Sequence, residues 1–236
     1  MQLLHNLNVA VHVLFGTIGL LIGLLALLYR NRPQRHIRYG RYFLYALTIV
    51  VGTAFMGILF FRSNPFLLLL TLLGGYVGYS GFRTIRLREQ PASTIDLLIS
   101  IGVLIAGGIY LGSMELAGGN WSPSVVYPTL SALVLVAGYD LIKRLWLFNK
   151  LKTWWLYEHI YKMISAYSAI LSAFSGTVFP QYKPYSQILP SALCISAIIY
   201  FIWQQVRHRK RVSAVSKAFG RSAANRSYSS KNVLGN

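Results

Sequence analysis

Long apolar runs separated by clusters of cations constrain this chain more than any other feature. Twenty of its 23 Lys and Arg residues lie in four stretches, 30–41, 83–88, 143–152 and from Arg207 onward. Between them, Arg62, Lys162 and Lys183 are the only other cations. Multi-pass membrane proteins retain cations on the cytoplasmic side, so such alternation counts spans and sets their direction. Composition agrees. A soluble domain carries about a quarter charged residues, whereas here 12% are charged and 55% hydrophobic. The net charge of +18 does not lead to nucleic acid. The charges sit at the ends of apolar runs, not along one face of an element, and anionic headgroups account for them.

A helix needs about 20 apolar residues to cross the hydrocarbon. Seven runs qualify: 9–29, 42–61, 66–82, 95–112, 125–145, 157–179 and 188–206. The expectation is therefore an all-α bundle of seven transmembrane helices over residues 1–206. Its N-terminus is outside, its C-terminus is cytoplasmic, and it lies in the inner (plasma) membrane. This arrangement leaves twenty cations inside and two, Arg62 and Lys183, outside. Dropping any one run would put basic loops on both sides. Trp146, Trp154, Trp155 and Tyr157 mark an inner edge, and Trp121 and Tyr127 an outer one. The first run is too long for a signal-peptide core and reads as a retained span. Residues 207–236 read as a basic, disordered cytoplasmic tail, its first part lying along anionic lipid headgroups. The single Cys194 excludes an internal disulfide and packs as a small apolar side chain.

Several runs carry a distinct face, since each helical residue advances about 100°. His5, His12, Gly16, Gly19 and Gly23 fall on one stripe of the first run. Thr71, Gly74, Gly78 and Gly81 do so on the third. The sixth shows Tyr161, Ser165, Ser168, Ser172 and Ser175, with Glu158 continuing that side and His159 well off it. Small residues let helices approach closely in lipid. Helix packing is the plain reading of these faces, and homo- or hetero-oligomerisation through the glycines is the sharper one.

Ionisable groups at membrane depth are costly and default to functional candidates. His12 lies in the outer half of the first run. Asp96, Asp140, Glu158 and His159 lie near inner ends, and His36 and Arg41 belong to the first inner loop. Together they make a polar inner mouth. Its plain reading is ion pairing: Asp140 is spaced to pair with Lys143 and Arg144 along its helix. Asp96 sits in a first turn that Thr94 would cap. Its functional reading is haem b held between His36 and His159, as membrane cytochromes hold haem between histidines on facing helices. His12 has no outer partner, because His5 is on the same helix face about 10 Å away. That disfavours a relay of two haems. A metal held by His36, His159 and an acid is weaker, since no His-x-x-His or Cys pair appears. Phosphate-loop, dinucleotide and nucleophile-elbow motifs are absent.

Four short motifs recur in a known pattern. His12 precedes Gly16 and Gly19 on the first span. His36-Ile37-Arg38-Tyr39-Gly40-Arg41 leads into the second. His159-Ile160-Tyr161-Lys162-Met163 opens a later helix, and Pro190 lies on the last. In these positions the chain resembles a family of predicted bacterial multi-pass membrane proteins classed as a domain of unknown function. It departs in two places: the loop usually reads His-Arg where Ile37 follows His36, and bulkier Tyr161-Lys162 replaces a small residue before the Met. The resemblance covers most of residues 5–206. It implies the multi-pass architecture and His12, His36, Arg41 and His159 as the characteristic polar positions, the family's activity being largely unassigned. The leading functional expectation is a redox or haem-associated membrane protein with a histidine site at the cytoplasmic face. The alternatives are a small-solute or proton-coupled carrier, with His12 and the inner acids lining a path, and a non-catalytic scaffold or assembly subunit.

Overall fold

Each apolar run becomes helical, and every helix begins ahead of its run. A computed structural model describes residues 1–61, 65–117 and 123–233 of the protein, with no strand among them. Arg62 and the Gly-rich connection with Trp121 lie outside the described residues. The elements are α1 (Gln2–Leu28), α2 (Pro33–Phe61), α3 (Pro65–Leu87), α4 (Thr94–Ala117) and α5 (Pro123–Ile142). A broken stretch follows: a π-helical turn Lys143–Leu147, the short α6 (Phe148–Leu151) and a 3₁₀ turn Lys152–Trp154. Then come α7 (Trp155–Val178) and α8 (Tyr185–Val233). Four stretches are long and apolar enough to cross a membrane: Gln2–Leu28, Pro33–Phe60, Thr94–Ser113 and Tyr185–Arg211.

Two boundaries differ from the sequence reading, and both involve basic segments. Pro33 opens α2, its fixed φ suiting a first helical position. His36, Arg38 and Arg41 therefore lie on the first turns of α2 rather than in a loop. Tyr29, just past α1, stacks on Tyr39 at 5.5 Å and lies 5.1 Å under the Arg35 guanidinium. Those contacts tighten the connection and leave no room for a longer loop. At the other end, where the sequence reads as disordered tail, α8 continues to Val233. The chain divides into two compact units, Met1–Ile195 and Ser196–Asn236. Within the second, the Arg207 guanidinium covers the Trp203 ring at 3.6 Å.

In the first unit α3 separates two apolar clusters. On one side Leu69 and Tyr76 pack with Tyr110 of α4 and with Val126, Leu130, Leu133 and Ala137 of α5. On the other Val77 packs with Leu20 of α1, Phe43 and Leu47 of α2, and Ala166 and Ile170 of α7. Glycines permit the second contact. A Cβ on Gly23 would stand 2.6 Å from the Tyr167 ring, and one on Gly81 would stand 2.9 Å from the Met163 sulfur. The glycine faces of α1 and α3 thus meet helices of this same chain. On α4, Gly102, Gly108 and Gly112 meet nothing within 4 Å.

The distribution of polarity inverts that of a water-soluble domain. Leu21 is 61% exposed, Ile109 68% and Leu135 71%, whereas Lys162 is 2% exposed and Glu158 4%. An apolar exterior over a polar interior is what a lipid solvent selects, because hydrocarbon leaves polar groups to be satisfied within the protein.

Candidate functional site

The start of α2 and the start of α7 bring His36 and His159 together. Their ring centroids are 6.4 Å apart and their planes nearly perpendicular, at 87°. Both rings are oriented from behind. His36 Nδ1–H donates to the Ala26 carbonyl at 2.9 Å, and His159 Nδ1–H donates to the Gly81 carbonyl at 3.1 Å. Ala26 lies in the last turn of α1, where carbonyls have no intrahelical partner, so His36 also caps that helix. A carbonyl acceptor assigns the proton to Nδ1. Each Nε2 then keeps a lone pair, and neither has a hydrogen-bond partner among the described residues.

These imidazoles border a groove of about 780 Å³ lined by α1, α2, α3 and α7. Phe43, Leu47, Val51, Phe82, Met163 and Tyr167 make it largely apolar, and Arg41 and Arg86 add cations. The volume lies within the range of roughly 300–1,000 Å³ typical of cofactor sites. Metal-binding histidines usually donate their second nitrogen to a carbonyl or carboxylate, as both do here. A centroid spacing of 6.4 Å would leave both rings within reach of one metal ion. No group of three or more His, Cys, Asp or Glu among the described residues could hold a metal ion. The alternative of His36, His159 and an acid therefore lacks its third ligand.

Asp96, Asp140 and Glu158 lie on the other side of α3, in three largely buried ion pairs. Asp140 accepts from Lys162 Nζ at 2.6 Å, from Tyr76 Oη at 2.8 Å and from Ser80 Oγ. Tyr76 Oη and Ser100 Oγ are 2.9 Å apart, and Lys162 also reaches Thr84 at 3.3 Å. Asp96 holds Arg83 in a fork, accepting from Nε at 2.7 Å and Nη2 at 2.8 Å, and accepts from Tyr79 Oη at 2.6 Å. Glu158 accepts from Lys143 Nζ at 2.6 and 2.7 Å and from Tyr139 Oη at 2.8 Å. These pairs line a second cavity of about 70 Å³. Tyr79 lines both cavities.

Two expected contacts are replaced. Asp140 does not pair along its own helix with Lys143 or Arg144. It is drawn to Lys162, which is buried and costly to leave uncompensated, while Lys143 goes to Glu158. Ser93, not Thr94, caps α4. Ser93 Oγ accepts from the Asp96 backbone N–H at 3.3 Å, and the Ser93 N–H donates to Asp96 Oδ2 at 2.8 Å. This reciprocal pair is a capping box. His12 stands apart from both cavities. Its Nδ1–H lies 3.1 Å from the Val50 carbonyl and 2.9 Å from Thr53 Oγ1, tying α1 to α2. At 1.5 Å per residue, it is about 21 Å along α1 from Ala26.

Sequence reasoning placed His36, His159, Arg41, Asp96, Asp140 and Glu158 near one end, and the structure brings them to two cavities rather than one mouth. It passed over Lys162, Tyr76, Tyr79, Ser80 and Tyr139 as site residues. A usable signal was present: Lys162 lies more than one helical turn inside an apolar run, whereas Lys143 and Arg144 stand at the very end of theirs, and Tyr76, Ser80, Arg83 and Thr84 recur on α3 at helical spacing. No family model matches the chain, and no curated protein or solved structure matches it.

Proposed function

We propose that this chain is a multi-pass protein of the inner (plasma) membrane that holds haem b between His36 and His159 for membrane electron transfer. The observation carrying this reading is the pair of neighbouring imidazoles, each with Nδ1 bonded to a carbonyl and Nε2 without a hydrogen-bond partner, lining a large apolar groove. Between two imidazoles the group would supply one-electron chemistry. The chain's own residues do the rest. The Ala26 and Gly81 carbonyls fix the rings, Phe43, Phe82 and Met163 exclude water, and Arg41 and Arg86 offer guanidinium forks to the carboxylates of an amphipathic cofactor.

The seven-span arrangement, N-terminus outside and C-terminus cytoplasmic, belongs to the same reading. It is supported by the small cavity, whose lining joins Arg83 and Arg88 of one basic segment to Lys143 and Arg144 of another. The resemblance to the bacterial multi-pass family is part of it too, with His12, His36, Arg41 and His159 as characteristic positions. The carrier alternative loses support, since Asp96, Asp140 and Glu158 each already hold a cation.

The test is an optical spectrum with iron analysis on the full chain purified in detergent. The expected result is a Soret band that shifts on dithionite reduction and is lost in His36→Ala and in His159→Ala. A preparation that is colourless and iron-free, and takes up no added haemin, would sink the reading.

A further inference from the structure

The smaller cavity carries a charge imbalance that the ion pairs do not explain. Its walls include the three pairs Arg83–Asp96, Lys143–Glu158 and Lys162–Asp140, which neutralise one another. Two further arginines, the exposed Arg88 and the partly buried Arg144, also line it, and neither forms an ion pair among the described residues. Glu89, the nearest acid in sequence to Arg88, is exposed and does not line the cavity. The site therefore holds two positive charges in excess. Arg88 lies 5.7 Å over the Trp155 ring, and its left-handed φ of 51° closes the C-terminal end of α3, with its N–H on the Thr84 carbonyl at 2.9 Å. A water needs roughly 10–15 Å³ in the measure that gives this cavity about 70 Å³. Several waters, or one tetrahedral oxyanion, would fit.

We infer that this cavity binds a phosphate monoester group, with Arg88 and Arg144 as its ligands. Guanidinium forks match phosphate oxygens two at a time. A phosphate monoester carries about −1.5 to −2 at neutral pH, close to the excess at the site, whereas a carboxylate would balance only half of it. The three internal pairs contribute rigidity and a dry wall rather than net charge. The group could arrive on a soluble phosphate or on the headgroup of phosphatidate, since basic pockets between helices at this level of a membrane protein bind lipid headgroups. The inference does not rest on the histidine groove and stands whether or not haem binds there.

The experiment uses the full chain in neutral detergent, following thermal unfolding while inorganic phosphate is added at constant ionic strength. A parallel arm adds phosphatidate or phosphatidylcholine in mixed micelles. Binding to the folded state raises the Tm saturably. The expected result is saturation by phosphate, by phosphatidate, or by both, with no response to phosphatidylcholine. In Arg88→Gln/Arg144→Gln the affinity should fall by at least about tenfold, the loss of roughly one charge-assisted contact. Arg144→Lys should fall between, keeping the charge and losing the fork. Lys210→Gln/Arg211→Gln, in the basic segment of the second unit, should bind as the parent does. Response to phosphate identifies a soluble ligand, and response to phosphatidate alone identifies the headgroup. The inference is overturned if neither ligand stabilises the parent, if the double variant responds undiminished, or if the Lys210/Arg211 variant loses the response equally. Arg88 and Arg144 hold no acid, so both variants at the site should fold with nearly the parent Tm. Should the double variant not fold, Arg144→Lys decides alone: an affinity equal to the parent's overturns the inference.

Discussion

The groove and the pocket flank the same helix, α3, and draw on the same turn of α7, where His159 and Lys162 stand three residues apart. They treat polar groups in opposite ways. In the pocket, Asp96, Asp140 and Glu158 are saturated: each carboxylate holds a cation and at least one tyrosine hydroxyl. In the groove, two imidazoles each spend one nitrogen on backbone and leave the other without a partner, beside an apolar volume about ten times larger. In a membrane interior an unspent hydrogen-bonding group is expensive. Spare capacity, more than charge, therefore separates a site from scaffolding. By that measure the proposed site in the groove rests on His36 and His159, and the pocket is scaffolding except at Arg88 and Arg144.

That contrast can be broken by substitution, and the pocket should give the largest effect. Lys162→Met leaves Asp140 buried without its cation and should destabilise the chain by about 3–5 kcal/mol, read by unfolding in detergent. Lys162→Met/Asp140→Leu should recover most of the loss, because removing both charges avoids the orphan. An unchanged stability in the single variant would mean the pocket is not saturated in the sense used here. Next comes Gly23→Ala, at the border of the groove. Its Cβ must displace Tyr167 and Phe43, costing about 1–3 kcal/mol, and the same unfolding assay measures it. Ser93→Ala removes one half of the α4 capping box and should cost about 1 kcal/mol. The smallest change in stability is expected for His36→Ala, about 0.5–1.5 kcal/mol for one hydrogen bond. It should nevertheless abolish the Soret band. A loss as large as that of Lys162→Met would make His36 scaffolding and collapse the distinction.

The helices were legible because apolar runs and their basic flanks are one-dimensional signals, readable without knowing which helix meets which. The face analysis also carried through: Glu158 and His159, adjacent in sequence, turn to different helices, α5 and α3. What the sequence could not show is the pairing of distant elements. Asp140 and Lys143 have a spacing that satisfies a helical ion pair, and only the burial of Lys162 between α3 and α5 redirects both. The start of α2 was misread for a related reason. Cations at 35, 38 and 41 look like loop when hydropathy is the guide, yet Pro33 and the ring of Tyr29 settle the chain into helix there. Whether His36 reaches His159 depended on that turn, since it is what points His36 back across α1.

Tyr79 gives the two cavities a common wall. Its ring borders the groove while its hydroxyl donates to Asp96, the carboxylate that clamps Arg83. A guest that shifts the ring must either carry that hydroxyl along or break its bond. Occupancy on one side then becomes a term in the affinity of the other, and thermodynamic linkage makes the exchange equal in both directions. A partition one phenol thick would be enough for the apolar groove and the charged pocket to read each other's state.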